Sequence, residues 1–76
     1  MVISYILLIV KPGEESKVAE EMNKLEQVKE INIVYGEYDI VAKIEEKSME
    51  DLQSFLIKKI RAMDQVERTS TLIALS

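Results

Sequence analysis

The sequence predicts an α+β domain in which four β-strands form one antiparallel sheet and two helices cover a single face of it. Three observations support this prediction. Segments rich in β-branched and aliphatic residues alternate with two amphipathic segments in the order β-α-β-β-α-β. The first of these segments is apolar at nearly every position, as expected for a strand that is buried on both faces. The chain has 76 residues, which is the length of one domain, so residues 1–76 are predicted to form a single unit.

The first half of the chain predicts a strand, a helix and a second strand. Val2 to Val10 is strand-like and stops at Lys11-Pro12-Gly13, a strong turn signal. Glu14 to Gln27 follows as a helix, and Val28 to Tyr35 returns to β character. The apolar stripe of the helix comprises Val18, Met22 and Leu25.

The second half predicts a tight hairpin, a helix and a last strand. Gly36-Glu37 is the predicted turn, and Tyr38 to Glu45 is the strand that leaves it. Ser48-Met49-Glu50-Asp51 matches the capping pattern of a helix start, and its apolar stripe runs on to Met63. Val66 to Leu75 is the last strand. This order, with right-handed crossovers and one central hairpin, predicts a ferredoxin-like βαββαβ fold.

The second face of this sheet has no part of the chain left to cover it. The first strand is apolar on both sides, so its pattern does not decide which alternate set of side chains faces the helices. We take Ile6 and Leu8 first as the outward-facing positions, with the other set as the alternative. A domain of this size buries only about 60% of its surface and usually needs an additional stabilising device. With no cysteine and no histidine, neither a disulfide nor a thiolate or imidazole metal site can provide one. We therefore predict a homodimer formed sheet on sheet, the arrangement of a dimeric α/β-barrel.

Composition also argues against several classes of function. The absence of histidine and cysteine removes the commonest acid–base and nucleophilic groups, so we predict no enzyme, no metal and no cofactor. A formal net charge of −4 disfavours direct binding to nucleic acid, and the cluster of Lys58, Lys59 and Arg61 is interpreted as the solvated side of a helix.

The apolar run near the N-terminus is much shorter than the roughly 20 residues of a membrane span, and it lacks signal-peptide features. A cytoplasmic protein is expected.

Two polar clusters remain as candidate functional residues. The first is the hairpin Tyr35-Gly36-Glu37-Tyr38-Asp39, and the second is the hydroxyl run Thr69-Ser70-Thr71. Each has a plain structural explanation, a glycine turn in one case and β-propensity in the other. Together they have the groups that would bind a small zwitterion. N–H groups near Gly36 would meet a carboxylate, and Asp39, with Glu37 as a second candidate, would accept from an ammonium.

The sequence at these positions resembles one known family. V-Y-G-E-Y-D-I-V-A-K-I, then S-M-E-D-L at a helix start and V-E-R-T-S-T-L-I-A-L near the end, are similar to the effector (RAM) domain of Lrp/AsnC, or feast/famine, transcription regulators. The similarity extends over essentially the whole chain. Its most specific parts are the G-x-Y-D turn and the terminal T-x-T.

The resemblance implies a sensor role. It implies that the domain dimerises through its sheet, that dimers assemble into octamer or decamer rings, and that a free amino-acid effector binds between dimers. The site residues implied are Tyr35, Gly36, Glu37, Tyr38, Asp39, Thr69, Ser70 and Thr71. The sequence starts directly in the first strand of the effector domain, so we predict no helix-turn-helix domain, and modulation of full-length Lrp/AsnC regulators as the route to transcription. The alternatives are a structural oligomerisation module without a ligand and, less favoured, a small dimeric α/β-barrel enzyme.

Overall fold

The computed structural model describes residues 1–75 and has the predicted order of elements. Strands β1 to β4 are Val2–Val10, Val28–Ile33, Ile40–Glu46 and Val66–Ile73. Helices α1 and α2 are Glu15–Asn23 and Met49–Phe55, and α2 continues into a π-helical segment, Leu56–Ile60. The four strands form one antiparallel sheet in the order β2-β3-β1-β4, so β1 and β3 are central. Both helices pack on the same face, and the predicted ferredoxin-like fold is confirmed.

The core lies between the helices and the even-numbered side of β1. Ile6 and Leu8 have no exposed surface, and the paired residues Ala42 and Ile40 of β3 are equally buried. These side chains pack against the apolar stripes of the two helices. The spacing that predicted amphipathic helices is therefore the spacing of their buried residues. The buried helical residues are Val18, Met22, Leu52, Phe55 and, in the π-helical segment, Ile60.

The odd-numbered side of β1 forms the uncovered face of the sheet. Tyr5 pairs with Leu72 of β4, and these side chains are 39% and 54% exposed. Leu7 is only partly buried and pairs with Val41 of β3. The prediction that Ile6 and Leu8 face outward is therefore wrong. A strand that is apolar on both faces does not indicate which face the helices cover. The connections between the strands and the helices decide this. We call Ile3, Tyr5, Leu7, Ile9, Val41 and Leu72 the apolar sheet patch.

Both helices are shorter than the sequence predicted. α1 ends at Asn23, because the amides of Lys24 and Leu25 donate to carbonyls three residues back, at 3.3 and 3.0 Å, in a tightened last turn. α2 begins where the capping pattern predicted, with the Asp51 amide donating to the Ser48 hydroxyl at 3.1 Å. After Phe55 the helix widens, and the Arg61 amide donates to the Leu56 carbonyl, five residues back, at 2.8 Å.

Within residues 1–75, no helix has the length and apolar character that crossing a bilayer requires.

The two faces of β1 make a paired prediction. We expect Leu7→Asp to leave the core intact but lower the mass of the particle in light scattering, because the charge falls in the apolar sheet patch. We expect Ile6→Asp to unfold the chain, since an aliphatic side chain worth ~1.5–3 kcal/mol of burial is replaced by an unpaired buried charge. A folded Ile6→Asp variant, by circular dichroism, would contradict the assigned faces, as would a Leu7→Asp variant with the parent's mass.

The cap of α2 makes a second prediction. Ser48→Ala removes the acceptor of the Asp51 amide and should lower the free energy of unfolding by about 1 kcal/mol. Ser16→Ala is the matched control, because Ser16 is exposed within α1 and Ala is the better helix former there. Chemical denaturation of both variants measures the difference. Equal stability of the two would show that the cap contributes nothing.

Candidate functional site

The segment between β2 and β3 is a six-residue loop, residues 34–39, and not the two-residue turn predicted at Gly36-Glu37. Ladder pairing stops at Ile33 and Ile40, and the Val34 amide closes the loop by donating to the Asp39 carbonyl at 2.8 Å. Gly36 has φ +153°, a conformation that L side chains rarely adopt. The glycine correctly located the turn. Both strands end closer to the sheet than predicted, because residues 34–39 form the loop and Asp39 bonds to β1.

Asp39 is fixed against the end of β1 by two hydrogen bonds. Its amide donates to the Leu8 carbonyl at 2.8 Å, and one carboxylate oxygen, Oδ2, accepts from the Val10 amide at 2.9 Å. The carboxylate is therefore held in a defined position at the hairpin end of the sheet. A carboxylate has about four acceptor sites on its two oxygens, so it retains acceptor capacity beyond the Val10 bond. That capacity is what an ammonium group would require.

The tip of the loop is an exposed apolar projection. The Tyr35 side chain is fully exposed, and Ile33 and Val34 are also exposed. Because Tyr35 and Tyr38 lie outside the strands, the two rings are not a cross-strand pair of the ladder. Tyr35 thus has little contact with its own chain, whereas Tyr38 is half-buried.

The hydroxyl run lies on β4, where strand alternation divides it between the two faces. Thr69 and Thr71 pair with Leu8 and Ile6 and therefore share the helix side of the sheet, although β4 is an edge strand and Thr71 stays exposed. Ser70 pairs with Leu7 and belongs to the opposite, uncovered face. The three hydroxyls are consecutive in the sequence but do not lie on one face of the sheet.

The start of β3, just after the hairpin loop, and the hydroxyl run of β4 lie at the same height along the sheet, with β1 between them. Leu8 pairs with Ile40 on one side and with Thr69 on the other, so these two residues are two strand spacings apart, roughly 10 Å. One chain therefore does not bring the two clusters into contact. Thr69 lines a cleft of about 350 Å³ whose other lining residues are Arg61, Val66, Glu67 and Arg68. Arg61 was missed as a cleft residue because its neighbours Lys58 and Lys59 indicated a solvated helix face.

The family model of the Lrp/AsnC ligand-binding domain matches residues 4–76 of the chain. The chain belongs to this family. The HTH-type transcriptional regulator FL11 of Pyrococcus abyssi is 40% identical over 73 residues. That match covers 96% of this chain but 48% of FL11, so the chain spans about half the length of this relative.

Solved structures of family members have the same fold. The crystal structure of FFRP-DM1 superimposes with a TM-score of 0.97 at 41% identity, covering 99% of this chain and 100% of that one. Escherichia coli AsnC superimposes with a TM-score of 0.94 at 32% identity, covering 99% of this chain and 51% of AsnC. The prediction, made from the G-x-Y-D and T-x-T positions, that the chain belongs to the Lrp/AsnC ligand-binding family is thereby confirmed.

The geometry of Asp39 makes a prediction about stability. Asp39→Ala leaves the Val10 amide without its acceptor and should lower the free energy of unfolding by about 1–3 kcal/mol. Asp39→Asn keeps a side-chain oxygen for that bond and should lose less. Glu20→Ala, an exposed carboxylate on α1, controls for the loss of one negative charge. Denaturant melts in which Asp39→Ala and Glu20→Ala agree would show that the Asp39 bond is not structural.

Proposed function

We propose that this Lrp/AsnC ligand-binding domain is an amino-acid sensor whose site is completed between copies of the chain. The observation that carries the proposal is the separation of the two candidate clusters. Asp39 and the exposed loop tip lie on one side of β1, and the Thr69 hydroxyl lies on the other. A second copy that brings its loop against β4 would place both clusters around one ligand.

The ligand's two charged ends define the roles in this site. Its ammonium group would meet the fixed carboxylate of Asp39, with Glu37 nearby on the loop, because charge-assisted hydrogen bonds are the strongest available there. Its carboxylate would take N–H groups near Gly36 or a hydroxyl of Thr69 or Thr71. Tyr35 and Tyr38 would contact the side chain, which favours an apolar or uncharged amino acid. Ser70, on the other face of β4, would contribute to the dimer more than to the ligand.

Two surfaces support the assembly that this site needs. The apolar sheet patch is covered by no helix of residues 1–75 and suits a sheet-on-sheet dimer. The exposed loop tip, at the hairpin between β2 and β3, suits contact between dimers. We infer a homodimer that assembles further into a ring, an octamer or a decamer.

The output of the sensor is regulatory in this proposal, and not catalytic. The family relatives are named transcriptional regulators, and the chain contains no histidine or cysteine for acid–base or nucleophilic chemistry. We propose that the domain acts in the cytoplasm by co-assembling with full-length Lrp/AsnC regulators and makes no direct contact with DNA.

A structural assembly module without a ligand is the second candidate. The apolar sheet patch favours it, because this patch requires a second copy whether or not an effector binds. Under this alternative Asp39 serves only to hold the end of β1. The two candidates make opposite predictions about ligand-dependent melting.

Thermal melting with each of the twenty amino acids, read together with light scattering, tests the sensor proposal. At least one uncharged amino acid should raise the melting temperature of the assembled protein. Asp39→Asn should weaken that ligand by about one to two orders of magnitude, since a hydrogen bond to a charged group is worth ~1.5–3 kcal/mol. Because Asn retains the bond to the Val10 amide, the parent melting temperature without ligand should be largely kept.

Two controls separate ligand binding from stability. Glu20→Gln removes one exposed negative charge on α1, outside the proposed site, and should bind the ligand as the parent does. Leu7→Asp, which is directed at the dimer, should lose the ligand response together with the assembly. If no amino acid at millimolar concentration shifts melting or mass, the structural module is the better account.

A further inference from the structure

The uncovered face of the sheet carries charged residues beside the apolar sheet patch. Directly paired residues of a ladder share a face, so the strand register identifies them. They are Glu30 of β2, Lys43 and Glu45 of β3, and Arg68 of β4, whose ladder partners are Lys43, Tyr5, Ile3 and Ile9 in turn. The two cations balance the two carboxylates, so the formal net charge of −4 belongs to residues elsewhere in the chain. The ladder positions of this face are therefore neutral as a set.

Lys43 lies in the middle of a row of side chains that crosses the sheet. Tyr5 of β1 is directly opposite it on one side, and Glu30 of β2 is directly opposite it on the other. Residues paired in this way have Cβ atoms about 4.5–5.5 Å apart, so their side chains can interact. The Lys43 Nζ is 3.8 Å from the Glu30 Oε2, and the Lys43 side chain is 26% exposed. The ammonium is thus held on the sheet by a carboxylate of the neighbouring strand.

The part of the chain that the structure describes has one other ion pair, and it serves as a comparison. Lys24 and Glu21, three residues apart at the end of α1, have their charged atoms 3.7 Å apart, and their side chains are 65% and 52% exposed. The two pairs have nearly the same length, but the Lys43 side chain is much less accessible to water. Only the Lys43 pair lies on the face that the proposed dimer covers.

A second copy of this chain is the partner that these charges fit. A two-fold interface brings one patch against the same patch of the partner, so the patch has to complement itself. A face with both signs and no net charge meets this condition, because neither sign is in excess. The remaining surface of the chain is acidic, and two copies that met there would repel each other.

We propose that the Lys43–Glu30 pair fixes the orientation of the sheet-on-sheet dimer of this chain. The proposal rests on the dimer of the proposed function and names the polar contact within it. When a second copy covers the face, the Lys43 ammonium loses water and stays favourable only with a carboxylate beside it. Glu30 provides that carboxylate within the same chain, so the pair exists before the copies meet.

The pair restricts how the two sheets can lie on each other. Apolar side chains such as Leu7 and Leu72 attract without direction, so the apolar sheet patch alone would allow several arrangements. An arrangement that separates Lys43 from Glu30 under the partner leaves a charge covered and unpaired, which is strongly unfavourable. The arrangements that remain are those in which the pair stays intact, and charged contacts fix interface register in this way.

The dissociation constant of the dimer tests the energetic half of this proposal. Sedimentation of a dilution series at one ionic strength measures it for each variant. Lys43→Met should raise it at least about tenfold, because Glu30 is then covered without its cation. Lys43→Met/Glu30→Gln should recover most of this loss, since no unpaired charge of the pair remains. None of these residues belongs to the core, so each variant should keep the circular dichroism spectrum of the parent.

The distance between labels tests the orientation itself. The chain has no cysteine, so Ser16→Cys on exposed α1 gives one spin-label site per chain. In the parent background the distances between labels should form narrow peaks. In the Lys43→Met/Glu30→Gln background the dimer should persist but the peaks should broaden, because more arrangements become accessible.

Lys24→Met and Lys24→Met/Glu21→Gln are the matched controls. They remove an ion pair of the same length from α1 and should leave the dissociation constant within about twofold of the parent's, since exposed pairs contribute little. An unchanged dissociation constant for Lys43→Met would overturn the proposal, as would narrow parental peaks in the double variant. A parent that stays a single chain at every concentration would overturn both this proposal and the dimer. If the Lys43 effects appear while no amino acid shifts melting, the sensor proposal fails and this one stands.

Discussion

The structure depends on one constraint, which is that a four-stranded sheet with two helices can bury only one of its faces. β1 is apolar on both sides, and the helices occupy the side of Ile6 and Leu8. The other side retains Tyr5, Leu7 and Leu72 without cover from residues 1–75. Because 76 residues bury a limited share of their surface and contain no cysteine for a disulfide, association through this face is the route to further stability that we propose.

The same constraint links assembly to ligand binding. If the sheet face makes the dimer, the hairpin loop and the β4 edge are left at the periphery, where a further copy can reach them. In the proposed site Asp39 would serve both the fold and the ligand, because it binds the end of β1 through the Val10 amide and keeps acceptor capacity on the rest of its carboxylate. A ligand held between copies would then strengthen assembly, and assembly would strengthen ligand binding by the same factor.

Irregular backbone occurs at the tip of the hairpin loop and at the connection from the π-helical segment to β4. Gly36 takes an unusual φ at the loop tip, the π-helical turn precedes Arg61, and the bulge at Glu67 precedes Arg68. The regular parts of the sheet and helices supply the core. Departures from regular geometry are tolerated when the surrounding structure holds them, and here backbone hydrogen bonds close the loop at Val34 and hold the connection at Val66.

The sequence by itself determined the element order, the fold class, the cap at Ser48 and the ligand-binding family, because periodicity, turn residues and capping act over a few neighbouring positions. It also located the hairpin at Gly36. Tertiary structure alone decided which side of β1 the helices cover, since a doubly apolar strand has the same pattern on both sides. It also decided that Thr69 joins the helix side and Ser70 the uncovered side, and that Asp39 binds β1, because strand register and contacts between distant residues set both.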